Sequence, residues 1–492
     1  MIKQIALRPL PIALSVLAFL VPTAMAQVAA TPSTGKSQPA SVIAPKVCER
    51  CIRAHEEFLA SDAMQGRGSG THDELVAATY VASELRQYGI EPASGNGSYI
   101  QVVPTIHRNI KAPPQLRITG KGTPSTESII WEYGKEFLVA ELTQTKFAGP
   151  LQKFDVDEPG DAGNSKIEKG AVVLITGSDH GKAKKTAFAL ASKGAAAILV
   201  LAGESKLSNF AEAGELLPKV SDGLDEQSAD AMKFNVLELN RGAFQALQRM
   251  PEGVMLQFDA VSSEQKGSTW NAVGVLRGSD PSLQHASILF SAHLDHLGIG
   301  VPVNGDNIYN GADDDASGTT AVLEIARLLG RGRRPQRTVI FALFGSEEMG
   351  GVGSTYFYQH PPLPLQEIAA NLEFEMIGRP DPAVKADTLW LTGWERSNLG
   401  PALAARGATL VRDPHPEENF FARSDNFGLA KKGVVAQTIS SYGLHPDYHQ
   451  PSDDLAHLDF NHMNAAIGSL LAPLDWLVNS SFRPKWNAGG QP

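Results

Sequence analysis

Cysteine is almost absent, with two residues, Cys48 and Cys51, in a chain of 492. That excludes a disulfide-dense scaffold, and the lack of a second CxxC pair removes a four-cysteine zinc site. A basic excess is missing too. Lys and Arg number 43 against 53 Asp and Glu, a formal net charge of −10, so no general affinity for nucleic acid is expected. Long apolar runs are lacking. The N-terminal run Leu10–Val21 covers about a dozen residues, against the roughly 20 that span a bilayer. It contains Pro11, follows Lys3 and Arg8, and leads into Ala24-Met25-Ala26. That is the pattern of a secretory signal peptide cut before Gln27, with no cysteine at the junction for a lipid anchor. What is present is an ordinary apolar share of 42%, enough for a large core and against wholesale disorder.

The expected organisation is a signal peptide over 1–26, a flexible Ala/Pro/Ser/Thr-rich linker over 27–47, and globular chain beyond. Cys48-Glu49-Arg50-Cys51 opens that chain, and a local disulfide without a catalytic role is expected. Leu75, Ala78, Ala82 and Leu85 recur at helical spacing within Asp73–Tyr88, which Gly89 closes. Short strand-like pieces follow over Ile118–Leu142. Gly170–Thr176 and Ala195–Leu201 then read as the strands of a βαβ-like unit. A second α/β pattern starts near Asn271, with apolar runs at Ser287–Ala292, Thr338–Phe344, Ile368–Phe374 and Val434–Ile439, and a clear helix at Thr319–Leu329. Apolar strands alternating with helices imply a mostly parallel mixed sheet covered on both faces. Sites in such sheets form beyond the carboxyl ends of the strands.

Polar clusters stand at those ends. His293-Leu294-Asp295-His296 follows the first run. Asp313-Asp314-Asp315 opens the Thr319 helix. Glu347-Glu348 follows the second run, Glu373 and Glu375 end the third, and Tyr448-His449 lies after the fourth. Carboxylates gathered at one sheet edge repel and lose hydration unless cations compensate them. Two imidazoles and three carboxylates suit a pair of borderline divalent ions such as zinc, one carboxylate bridging both. Asp295, two residues past His293, is expected to hold that imidazole. A spare Glu beside a ligand Glu offers a base for water attack. If the strand continues, Glu347 and Glu348 point to opposite sides.

The motifs HLDHLG, NGADDDASG, FGSEEMGGVGS, EMIGR, RSDNF and YHQPSDD occur in this order. In them the chain resembles the co-catalytic di-zinc exopeptidases, bacterial leucine aminopeptidase-like metallopeptidases among them, over roughly 52–101 and 271–479. The resemblance implies two zinc ions per chain, with His293, Asp314, Glu348, Glu375 and His449 as ligands and Asp314 as the bridge. It implies Glu347 as general base and Tyr448 as oxyanion stabiliser. The peptide between Asp314 and Asp315 is often cis in relatives. Glu375 departs from the Asp that many members carry, and Glu373 is the less favoured alternative. GAVVLITG and KGAAAILVL resemble an inserted protease-associated domain, a smaller β-rich α/β unit. The implied division is 48–136 and 259–485 for the peptidase and 137–258 for the insert.

The function expected is a secreted or periplasmic aminopeptidase acting on peptides with a free N-terminus, with no stable membrane anchor after signal cleavage and no nucleic-acid partner. A carboxypeptidase- or dipeptidase-type enzyme is the alternative, requiring a cationic pocket for which Arg379, Arg412 and Arg423 are candidates. A glutaminyl cyclase-like acyltransferase or an inactive receptor-like protein are readings of another class. Side-chain preference and oligomeric state are not encoded legibly.

Overall fold

A computed structural model describes residues 46–492 other than 121–127, 158–165, 178–185, 188–189, 192, 209, 215–216, 219, 221–222 and 225–234. The expected signal peptide, and the expected linker up to residue 45, lie outside the described residues. Cys48 and Cys51 are joined in a disulfide at the start of the first helix.

The larger of two main sheets uses β1 (Ile100–Ile110), β2 (Ser262–Leu276), β3 (Ser287–His293), β4 (Val339–Phe344), β5 (Ile368–Phe374), β6 (Leu389–Leu391), β7 (Leu410–Arg412) and β8 (Val435–Ser440). Their spatial order is β7-β6-β8-β5-β3-β4-β2-β1, and the short segments Gly223–Leu224 and Glu91–Pro92 pair with β1 and β2. Strands β8, β5, β3 and β4 run parallel to one another, which aligns their carboxyl ends on one edge. The flank β4–β2–β1 is antiparallel, as is β8–β6. The sheet is therefore mixed, with parallel pairing at its centre and in the β6–β7 edge pair rather than throughout. Residues of β1 and of the first half of β2 are partly exposed, and only antiparallel strands tolerate a wet face.

The central strands are apolar on both faces because both faces are covered. Along β4, Val339, Phe341 and Leu343 pack into one cluster, while Ile340, Ala342 and Phe344 pack into another. Each such side chain contributes roughly 1.5–3 kcal/mol by leaving water. The first face carries α1 (Glu49–Leu59), α2 (His72–Gln87), α3 (Gly318–Arg331) and a long C-terminal helix, Phe460–Val478. The second face carries Val352–Gln359 and Asn426–Lys431. No helix among the described residues is long and apolar enough to cross a membrane.

The second sheet has the order Ile129–Glu132, Gln115–Thr119, Met255–Asp259, Lys146–Asp155, Val172–Thr176, Ala197–Leu201, Asn235–Leu239, Phe137–Leu142. It has its own core, in which Phe137, Phe147 and Phe258 meet. Val172–Thr176 and Ala197–Leu201 pair in parallel, as a βαβ unit requires. The strands of this sheet begin at Gln115, ahead of the residue 137 that motif content suggested, because Gln115–Thr119 and Ile129–Glu132 hydrogen-bond into it.

Candidate functional site

The aligned ends of β3, β4, β5 and β8 gather the polar clusters. His293 is the last residue of β3, and Asp295 and His296 follow it into the core. Asp313, Asp314 and Asp315 lie buried in the turn Ala312–Ser317 ahead of α3, with a cis peptide between Asp314 and Asp315. Strand β4 stops at Phe344, and Ser346 turns the chain with φ +51. Glu347 and Glu348 thus sit in a turn rather than on a strand. They do not diverge as strand alternation would have them, and both line one pocket. Beyond β5, Glu375 lies ahead of Met376 (φ +52); beyond β8, His449 takes φ +57 in its loop.

Asp314 is the hub. Its Oδ1 lies 3.1 Å from His293 Nε2, and its Oδ2 lies 3.2 Å from His449 Nε2. His449 Nε2 is also 3.2 Å from Glu348 Oε2. Two groups of possible cation ligands share Asp314, one with His293 and Glu375, the other with His296 and Glu348. Glu375, not Glu373, joins the first group. Glu373 turns away, accepting hydrogen bonds from Thr438 Oγ1 and the Asn426 N–H, each at 2.9 Å. Sequence reasoning gave His296 no role, although it stands three residues past His293 within HLDHLG.

These residues fit a pair of divalent cations. In a tetrahedral zinc site with bonds of ~2.0–2.1 Å, neighbouring donor atoms stand ~3.3 Å apart, close to the separations above. His449 Nε2, His296 Nδ1 and Nε2, and Glu348 Oε1 are buried without a hydrogen bond of acceptable geometry, as atoms awaiting a cation would be.

The surrounding chain holds the ligands by their backbones. Asp453 accepts from the N–H groups of Asp313 and Asp314, each at 3.0 Å. Asp315 accepts from the N–H of His293, Gly318 and Met376, tying β3, α3 and the end of β5 together. The Asp295 carboxylate accepts from the N–H of Glu347 at 2.9 Å and from Ser69 Oγ at 2.6 Å. His293 Nδ1 lies 3.2 Å from the Asp295 carbonyl oxygen and 3.7 Å from its carboxylate. Asp295 therefore steadies both His293 and the Glu347 turn.

Electrostatics show a site short of positive charge. Burial and the neighbouring charges of Asp425, Glu375 and Glu348 push Glu347 well above the usual carboxylate range, only partly offset by His293. Burial likewise raises Glu375. For Asp314, burial acts upward but bonds from His293 and His449 prevail and hold it well below its ordinary value. His449 rises to about 10, since Asp314 and Glu348 outweigh its desolvation. His449 is thereby held protonated, and a bound cation would displace that proton.

Glu347, Glu348, Glu375 and Asp314 line a pocket whose far wall is Met376, Trp390 and Phe420. Tyr448 lines it as well, stacked on His449 with ring centres 3.9 Å apart. Burial and the nearby carboxylates raise the Tyr448 phenol, so it stays a hydrogen-bond donor. Of the three candidate arginines, Arg379 is bound to Asp447 and Asp453, and Arg412 is an exposed partner of Glu395. Arg423 reaches the pocket.

Residues 271–472 match the profile of Peptidase family M28. The chain is 26% identical over 218 residues to leucine aminopeptidase 1 of Fusarium vanettenii, covering 42% of this chain and 55% of that protein. It is 37% identical over 117 residues to an aminopeptidase of Pseudomonas aeruginosa, covering 24% of this chain and 19% of that one. These matches thus span about half of the first relative's length and about a fifth of the second's. A probable lipoprotein aminopeptidase of Mycobacterium tuberculosis is 23% identical over 443 residues, covering 80% of this chain and 77% of its own. In fold, the chain is similar to the aminopeptidase from Aneurinibacillus sp. strain AM-1, with TM-score 0.52 and 17% identity over 89% of this chain and 95% of that one.

Proposed function

Residues 271–472 being a Peptidase family M28 domain, we propose that this chain is an exported metallo-aminopeptidase that removes N-terminal residues from peptides. The observation that carries the reading is the two ligand groups sharing Asp314, beside a pocket that Glu347 also lines. Two zinc ions bound there, by His293, Asp314 and Glu375 and by Asp314, Glu348 and His449, would polarise a scissile carbonyl and lower the pKa of water. Glu347 accepts the proton of the attacking water and returns it to the leaving amine. The Tyr448 hydroxyl donates to the oxyanion that develops on the former carbonyl. Asp295 fixes the Glu347 turn. The substrate's N-terminal ammonium meets the acidic side of the pocket, and its first side chain packs on Met376, Trp390 and Phe420. The second sheet acts as a protease-associated insert that contributes no ligand.

A second reading has one observation in its favour. Arg423 at the pocket offers a guanidinium to a substrate carboxylate, as a dipeptidase or carboxypeptidase needs. The test is a panel of amino-acid amides, N-blocked peptides and dipeptides, assayed after chelation and after return of zinc. Hydrolysis of free-amine amides that chelation abolishes and zinc restores is expected. Cleavage confined to N-blocked substrates would overturn the aminopeptidase reading.

A further inference from the structure

We propose that His296 is a protein ligand of the cation held by Asp314, Glu348 and His449, so that this site has two imidazoles where its neighbour has one. The proposal rests on the two-cation reading above. His296 is fully buried, and neither ring nitrogen makes a hydrogen bond of acceptable geometry. Buried imidazoles in folded proteins nearly always satisfy at least one nitrogen. Here Nδ1 instead faces two carboxylates, 2.9 Å from Glu348 Oε1 and 3.9 Å from Asp314 Oδ2. His449 approaches the same two carboxylates, its ring edge-on to that of His296 with centres 5.6 Å apart. His296, Asp314 and Glu348 thus form one group of possible cation ligands, and His449 approaches the same two carboxylates, a donor set suited to zinc.

The ring is also held in place by the chain around it. A Cβ added to Gly311, where φ is +61, would stand 2.4 Å from His296 Cγ, so the glycine leaves the room that the ring fills. The His296 N–H donates to the Arg67 carbonyl oxygen. The buried Arg67 guanidinium donates to the carbonyls of Leu294, Asn310 and Gly311. One side chain therefore braces the segment before His296 and the segment that packs on its ring. Rigid support of this kind is what a metal ligand requires, and an imidazole that merely filled space would not face two carboxylates.

The test combines stoichiometry, affinity and a direct count of donors. Chelator-stripped protein titrated with zinc against a chromophoric chelator is expected to bind two ions with unequal affinity. His296→Ala and His296→Asn, each checked for folding by circular dichroism, should both weaken the tighter site by at least about 10²-fold. Asn can still donate a hydrogen bond to Glu348 but supplies no imidazole. Wild-type affinity in His296→Asn would therefore overturn the proposal and leave a hydrogen-bonding role. X-ray absorption of the unmutated two-zinc protein gives an independent reading, with about 1.5 imidazoles per zinc expected against about 1.0 if His296 is not a ligand. Fewer than two ions bound by the wild type would instead overturn the two-cation reading itself.

Discussion

Glu56, on α1, has its carboxylate fully enclosed, and neither oxygen has a hydrogen-bond partner; Thr320 is near but outside bonding geometry. Burial lifts its pKa from 4.5 to about 8, against smaller downward pulls from Thr320 and Arg67. In the unfolded chain the group keeps its ordinary value. Between those two values the folded chain holds a proton that the unfolded chain has released. Stability is therefore lost as pH rises from about 4.5 to about 8 and is flat above that window. At 1.36 kcal/mol per unit, the loss between about pH 6 and about pH 9 is about 3 kcal/mol. Glu56→Gln keeps the shape and is neutral throughout, so its stability should lack this component. Urea unfolding of chelator-treated protein at both pH values measures it. The wild type should decline more steeply than the variant, by about 3 kcal/mol. Glu74, raised to about 8 by burial and the Asp295 charge, is common to both proteins and cancels in the difference. Equal declines in the two proteins would refute the claim that Glu56 is buried uncompensated.

Glu347→Gln should retain both zinc ions while turnover falls by roughly 10²–10⁴-fold, and Glu348→Gln should lose metal and recover part of its activity in excess zinc. Activity and bound metal measured together on each variant decide this, and loss of metal from Glu347→Gln alone would reverse the roles. Glu375→Ala should weaken one metal site while Glu373→Ala leaves both occupied, as zinc titration of the two variants would reveal. The opposite pattern would mean that the end of β5 is oriented otherwise.

Those parts of the fold that bury both faces were legible before any coordinates. The apolar runs at β3, β4, β5 and β8 and the helix α3 stand where the sequence placed them, because a doubly covered strand is apolar along most of its length. Strands β1 and β2 escaped notice. Ser263, Glu264, Gln265 and Lys266 carry no apolar alternation, and their pairing with Arg108, Asn109 and their neighbours comes from backbone hydrogen bonds and an Arg108–Glu264 ion pair. In the site, the motif residues His293, Asp314, Glu348, Glu375 and His449 do come together. What could not be read was support at long range. Arg67 and Asp453 act through a carbonyl 243 residues away and an N–H 139 residues away, which no spacing rule encodes. His296 lay three residues past His293 in plain sight. Only its depth and its empty nitrogens, both tertiary properties, gave it a role.

Strands β1 and β2 form the two arms of a hairpin, with Ser262 paired to Ile110 at its tip. The whole second sheet thus stands where an ordinary hairpin has a turn of a few residues. A chain that departs and returns at a register pair asks nothing of the strands below it, since a longer loop costs closure entropy only logarithmically. The excursion can grow, shrink or be exchanged while β2 keeps its alignment on β4, and through β4 on the edge where Glu347 sits. A described segment ties it back. Gly223–Leu224 caps Thr105 and Ile106 on the outer side of β1, so removing the excursion would bare a strand edge that is now paired. In terms of construction, this is a joint that takes a longer or shorter excursion so long as the excursion brings its own cover for that edge.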